Sequence, residues 1–235
     1  MSYSKKLNDF KKKVIEKIYS IMKIKKEKLN IDFGKMLRSE LVFILSEFKT
    51  EEKNVRIASI IEIIHNSAII IDDIVDDETE RRGKKPLNKY IGDKKAYLIS
   101  SIMIIKAIKN IFKNDLIGKA FIKIIERMIL SEIDKKNYIT TCYNKTGLLF
   151  VAPILAIIEK YNYDTLRKIY YILKHIGILY QIKDDIIDKD SNMDEKFLSD
   201  KLKYYRNLIE DKIKSLEIKS IKENLKTFID KIVKA

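Results

Sequence analysis

Glycine and proline are scarce in this chain, with 6 Gly and 2 Pro among 235 residues. They are the usual punctuation of turns, so their scarcity argues against a strand-and-turn architecture and for long elements with short connections. Cys142 is the single cysteine. An internal disulfide is excluded, and a reducing, cytoplasmic setting is expected. The first residues, Met-Ser-Tyr-Ser-Lys-Lys-Leu-Asn, lack the apolar core of a secretion signal. The longest uncharged run, Thr146 to Ile158, is shorter than the roughly 20 residues that a membrane-spanning helix needs. No transmembrane segment is expected, although a greasy substrate or product would bring the protein to a membrane surface. No nucleophile–base dyad is evident either.

What is present is apolar and basic. Hydrophobic residues make up 46% of the chain, enough for one well-buried domain spanning residues 1–235. Their spacing is mostly three and four, which predicts an all-α fold. The formal net charge is +14, which attracts anions in general. The lysines interleave with Ile and Leu at helical spacing and form no basic cluster with exposed aromatics. Nucleic acid is therefore not the expected partner. Phosphorylated small molecules fit the charge equally well.

Periodicity predicts helices over Leu7 to Ile24, Lys35 to Phe48, Val55 to about Glu78, Ala96 to Phe112, Leu116 to Ile133, Tyr138 to about Lys160, Thr165 to Asp188 and Leu202 to Val233. Arg81 to Gly92 and Asp190 to Asp200 read as connections. Pro153 should kink the helix that contains it or end a turn of it. Gly147, inside the same helix, suggests a close packing contact or a ligand. The cations Lys35 and Arg38 share one face beside Gly34 at a helix start, a plausible seat for an anion.

One pattern occurs twice. Asp72, Asp73 and Asp76 close one strongly apolar helix, and Asp184, Asp185 and Asp188 close another. Residues i and i+4 lie one turn apart on the same face, and like charges so placed repel. Carboxylate oxygens in that arrangement suit a hard cation such as magnesium, completed by phosphate oxygens of a substrate. Facing triads would hold up to six carboxylates and could not keep that charge without divalent cations. Arg81 and Arg82 follow the first triad and offer forked donors to phosphate. Metals gripping a diphosphate beside apolar walls suit the departure of that diphosphate from a hydrocarbon.

These motifs resemble the trans-prenyltransferases, the polyprenyl diphosphate synthases, with the eukaryotic type of geranylgeranyl diphosphate synthase the nearest in appearance. The resemblance runs through Gly34-Lys35-x-x-Arg38, His65-Asn66, Asp72-Asp73-x-x-Asp76, Arg81-Arg82-Gly83, Lys145-Thr146-Gly147 and Gln181 to Asp188, in family order. It implies an all-α isoprenoid synthase bundle around a central apolar cavity, usually a homodimer. It also implies magnesium, three ions with substrate bound, on Asp72, Asp76, Asp184 and Asp188, with Asp73 and Asp185 in support. Arg81, Lys145, Thr146 and Gln181 would bind the allylic diphosphate. Gly34, Lys35, Arg38, His65 and Arg82 would bind isopentenyl diphosphate. Small Ser67 and Ala68, one turn before the first triad, would let a growing tail pass, as would Ser100 and Ser101. A twenty-carbon product is expected.

The chain departs from the family after the second triad. The family's Asp-x-x-x-Gly-Lys segment is missing, and Tyr205-Arg206-Asn207-Leu208 resembles the start of its final helix. A C-terminally shortened fold follows, with Lys201 or Lys203 in place of the missing lysine. The Gly-Gln-x-x-Asp pattern is not visible near Ser131-Glu132. Two alternatives stay open: a terpene synthase on the same fold, and a catalytically weak regulatory subunit.

Overall fold

The computed structural model of the chain describes residues 2–23, 31–111, 115–133, 137–188 and 193–234. Among these residues regular structure is helical: α1 (Tyr3–Met22), α2 (Leu37–Leu45), α3 (Glu52–Val75), α4 (Leu87–Ile91), α5 (Asp93–Ile111), α6 (Asp115–Ile133), α7 (Tyr138–Cys142), α8 (Leu148–Val151), α9 (Tyr163–Asp188), α10 (Glu195–Lys214) and α11 (Lys219–Lys234). A π turn (Tyr143–Gly147) joins α7 to α8, and a 3-10 turn (Ala152–Ala156) follows α8. No helix among the described residues is long and apolar enough to cross a membrane. The starts are set by local capping. Ser2 Oγ accepts from the Lys5 amide, Asn137 Oδ1 from Thr140, Asn162 Oδ1 from Thr165, and Asp194 Oδ2 from Phe197.

The described chain groups into two compact units, residues 1–40 with 50–122, and residues 41–49 with 123–235. In the first, α3 packs against α1 and α5, and α4 packs on α5. The apolar residues of α3 lie on every side of the helix, and Ile57, Ala58, Ile60, Ile61, Ile63 and Ile64 are all buried. That is what an all-round apolar helix must do. Ser59 and Ser100 are buried without cost because their hydroxyls donate to backbone carbonyls of Val55 and Ser67.

In the second unit α9 is central and meets α7, the π turn, α8, α10 and α11. Gly177 of α9 sits against Gly147, where a Cβ would overlap the Gly147 backbone and press on Phe150 Cβ at 3.0 Å. The expected close contact at Gly147 is thus made by another glycine. Glu47 ties the same unit together by accepting from Lys160, Tyr161 and Ser220. These bonds, the one from Lys160 above all, pull its carboxyl down to about 2.

Several boundaries differ from the sequence expectation. Pro153 does mark a change, from α-helix to the 3-10 turn. The connection after Arg81 contains the short α4. The segment read as a linker to Asp200 instead starts α10 at Glu195, capped by Asp194; residues 189–192 lie outside the described residues. The expected last helix is two helices, broken at Ser215. Buried Ile209, Ile213 and Leu216 form one stripe, but the next buried residue is Ile221. A five-residue step is about 500° of rotation, or 140° past a full turn, so one straight helix cannot bury both groups. Tyr205 to Leu208 accordingly lie within α10, with α11 still to follow.

Candidate active site

The first triad splits by burial. Asp72 is half-buried, Asp73 is buried and Asp76 is exposed. Asp76 is the C-cap of α3, and its amide still donates to the Asp72 carbonyl at 2.8 Å. Asp72 and Asp76 therefore remain one turn apart, as expected, although the helix ends between them. Asp73 points inward and accepts from Arg81 Nε. Burial pushes the Asp73 carboxyl above its ordinary range, and the Arg81 guanidinium opposes that rise. Asn88 Nδ2 donates to the Asp73 carbonyl, 3.4 Å away, and to Asp93 Oδ1 at 3.0 Å.

Arg82 and Gly83 form a tight reversal. The Arg81 and Lys84 backbones exchange hydrogen bonds of 2.7 and 3.1 Å. Both central residues have positive φ, 55° and 74°, as a type I′ turn requires. Glycine suits that geometry and arginine does not, so Arg82 carries backbone strain of the kind that collects at functional sites. Its guanidinium lies directly on Gly34. A Cβ at Gly34 would overlap Arg82 Nη1 and Cζ and stand 2.7 Å from Nη2. Gly34 also has φ +54°, with its amide bonded to Asp32 Oδ1 at 2.9 Å. Arg82 Nη1 donates to the Asp32 carbonyl at 3.3 Å. The glycine is needed twice, for its backbone conformation and for the arginine stacked on it.

His65 lies within electrostatic reach of Arg38, Arg81 and Arg82. Burial holds its imidazole well below the ordinary range, and the positive charges of Arg38, Arg82 and Arg81 push the same way. Burial and the three guanidinium charges thus all favour the neutral imidazole. Lys35 is exposed and Arg38 is buried at the start of α2. Glu62, one turn before His65, is fully buried. Its Oε1 accepts from the Ser39 amide at 3.1 Å and the Ser39 hydroxyl at 2.8 Å. This pins the first turn of α2 to α3 and thereby sets Arg38 near His65. The arrangement offers the fixed cations and imidazole donor that an anion would need. The sequence pattern did not single out Glu62. Its signal is a lone carboxylate inside an apolar helix face, which has to find partners.

The later motifs lie in the second unit. Thr146 Oγ1 donates to Gln181 Oε1, Gln181 Nε2 donates to Asp185 Oδ1 at 2.7 Å, and Tyr138 Oη donates to Asp185 Oδ2. Asp184 is half-buried and Asp188 is exposed. Asp185, like Asp73, has its carboxylate bonded to other side chains. Tyr138 was not among the expected site residues. Lys145 and Thr146 sit in the π turn, an irregularity often found at functional sites. Lys201 Nζ lies 5.4 Å from the centre of the Phe197 ring, and Phe197 packs edge-on against Tyr138 at 6.0 Å. Lys203 is exposed. Cys142 is buried, and burial pushes its thiol up to about 12, so it is not a nucleophile.

Ser67 is buried, with its hydroxyl on the Ile64 carbonyl, and Ala68 is half-buried. Ser100 is buried beside them, and Ser101 is half-buried with its hydroxyl on the Tyr97 carbonyl.

A family model described as polyprenyl synthetase matches residues 26–203. The chain belongs to the polyprenyl synthetase family. Its relatives within that family include solanesyl-diphosphate synthase 2, chloroplastic, of Oryza sativa subsp. japonica, 29% identical over 182 residues that cover 66% of this chain and 44% of that protein. Hexaprenyl pyrophosphate synthase of Saccharolobus solfataricus is 31% identical over 157 residues, covering 62% of this chain and 56% of that one. The chain thus spans about half the length of the curated relatives it matches. Solved structures share its fold. Heptaprenyl diphosphate synthase from Staphylococcus aureus superposes with a TM-score of 0.81 at 18% identity, covering 97% of this chain and 98% of that one. Geranyltranstransferase from Thermotoga maritima gives 0.80 at 21% identity, covering 97% and 99%. The fold is the all-α isoprenoid synthase fold, as the sequence motifs implied.

The carboxylates fit the metal that the polyprenyl synthetase resemblance implies. Among the described residues no three His, Cys, Asp or Glu side chains are gathered into a ready-made metal cage. Magnesium commonly takes only one or two protein carboxylates and draws its other ligands from phosphate and water. Asp72, half-buried, and Asp76, exposed one turn later, have that donor chemistry, and Asp184 with Asp188 repeats it.

Proposed function

We propose that the protein is a prenyl-chain-elongating transferase that condenses isopentenyl diphosphate with an allylic diphosphate, with a twenty-carbon geranylgeranyl diphosphate as product. The observation that carries this reading is the cluster of Arg38 and Arg82 charges acting on His65, with Gly34 beneath Arg82; we read it as a seat for a second diphosphate. An enzyme that only ionises an allylic diphosphate has no use for a second diphosphate site. That seat speaks against a terpene synthase.

In this reading Lys35, Arg38, His65 and Arg82 hold isopentenyl diphosphate, and neutral His65 donates a hydrogen bond without a charge of its own. Arg81, Lys145, Thr146 and Gln181 bind the allylic diphosphate. Asp72, Asp76, Asp184 and Asp188 supply oxygens for magnesium, three ions with substrate bound. Magnesium there would neutralise the charge that builds on the departing diphosphate. Asp73 and Asp185 hold Arg81 and Gln181 in place. The allylic C1–O bond breaks, the isopentenyl alkene forms the new bond to that C1, and a proton passes from the isopentenyl C2 to the released pyrophosphate. Between the two lysines proposed to close over the allylic diphosphate, we favour Lys201, because it stands over the ring that backs Tyr138.

Ser67 and Ala68 carry the chain-length reading, since small side chains there leave room for a tail. The proposed assembly is a homodimer, for which Leu98, Ile102 and Ile105 give α5 an exposed apolar stripe. A cytoplasmic location is proposed from the lone reduced cysteine.

One assay tests the reading. Purified protein is incubated with magnesium, isopentenyl diphosphate and geranyl or farnesyl diphosphate, and the dephosphorylated products are separated. Elongated twenty-carbon product is expected. Hydrocarbons formed from the allylic substrate alone would indicate a terpene synthase. No turnover would indicate the regulatory subunit. Accumulation of only a fifteen-carbon product would refute the chain-length reading.

A further inference from the structure

We propose that Tyr138 is a positioning residue, which locks Asp185 and through it sets the orientation of Gln181 and Thr146. The inference rests on reading Gln181 and Thr146 as allylic diphosphate ligands. Both oxygens of Asp185 are used, Oδ1 by Gln181 Nε2 at 2.7 Å and Oδ2 by the Tyr138 hydroxyl. A carboxylate only accepts hydrogen bonds. It therefore forces the amide nitrogen of Gln181 to face it, which turns the carbonyl of Gln181 toward Thr146. Thr146 must then donate to that carbonyl, as it does. The order of donors and acceptors along the network is thus fixed from the Asp185 end. Gln181 keeps one amide hydrogen for an anionic oxygen.

The backbone is shaped to make this lock. Eight residues separate Tyr138 from Thr146. In an unbroken α-helix they would point about 80° apart, at 100° per residue. The π turn from Tyr143 to Gly147 turns less per residue and removes most of that offset. Both side chains then reach α9, where Gln181 and Asp185 are one turn apart. Tyr138 is held from behind by Phe197 and at its own helix start by the Asn137 cap. Burial and the Asp185 carboxylate both keep the proton on its phenol, so it stays a donor.

The test is Tyr138→Phe in the full chain, with KM measured separately for farnesyl diphosphate and isopentenyl diphosphate at saturating magnesium. Loss of one hydrogen bond to a charged group predicts about a tenfold rise in the farnesyl diphosphate KM. The isopentenyl diphosphate KM should stay within about twofold of wild type. An unchanged farnesyl diphosphate KM overturns the proposal, and so does an equal rise for both substrates. Phenylalanine fills the same space, so a variant that no longer folds also overturns it, by assigning Tyr138 to stability alone. If the wild-type protein itself elongates nothing, it is the proposed function that fails. Wild-type elongation with an unaltered Tyr138→Phe removes this inference only.

Discussion

Replacing Gly34 by alanine should damage isopentenyl diphosphate binding through Arg82. Alanine adds a Cβ where φ is +54°, a left-handed conformation that costs about 1–2 kcal/mol for a residue other than glycine. Each kcal/mol lowers the melting temperature by about 2–4 °C in a chain of this size. The same Cβ overlaps the Arg82 guanidinium, which has to leave its place. A lost hydrogen bond to a charged group is worth about 1.5–3 kcal/mol, or roughly tenfold to a hundredfold in the isopentenyl diphosphate KM at 1.4 kcal/mol per decade. The KM of the allylic substrate should barely move. A double-mutant cycle with Arg82→Ala isolates the cause. Without the arginine, Gly34→Ala should raise that KM no further, while the loss of melting temperature from backbone strain persists. Additive KM effects in the cycle, or an unchanged KM in Gly34→Ala alone, would refute the stacked-arginine argument.

Asp72→Ala should lower kcat by at least about a hundredfold to a thousandfold with an unchanged helical circular dichroism spectrum; near-normal turnover would remove Asp72 from the metal site. Asp73→Ala should instead cost stability, about 1–3 kcal/mol by denaturant titration, because Arg81 is a partly exposed partner and its pairing is screened. Ala68→Phe should shorten the product by at least one isoprene unit, read by chromatography of the dephosphorylated products; an unaltered length would show that the tail does not pass Ala68. His65 gives a pH signature. Its folded-state pKa lies below the unfolded value of about 6.5. As pH falls below 6.5, the unfolded chain takes up a proton that the folded chain refuses, so stability drops. Wild type should therefore lose more melting temperature than His65→Gln between about pH 6.5 and 5.5, and parallel losses would contradict the neutral imidazole.

The helices and the two triads were legible because their signals are local. Apolar spacing reports the buried face, and an aspartate pair four apart reports a shared turn. What could not be read is that the middle aspartate of each triad bonds Arg81, or Gln181 and Tyr138. Asp72 and Asp73 are adjacent and chemically alike. Only the turn at Arg82-Gly83, which swings Arg81 back along the chain, decides that Asp73 is the one held inward. Asp185 is selected in the same way, by Tyr138 from outside its helix and Gln181 one turn before it. Glu62 was missed for a related reason. A carboxylate in a run of isoleucines looks like an interruption until Ser39, from another helix, meets it. The break at Ser215 was different, since the five-residue step from Leu216 to Ile221 is visible in the sequence as a slip of phase. The middle aspartates therefore do in this fold what a spacing pattern cannot state. They turn arginine and glutamine into fixed donors. Neutral isosteres at Asp73 and Asp185 should accordingly keep metal dependence while weakening substrate binding.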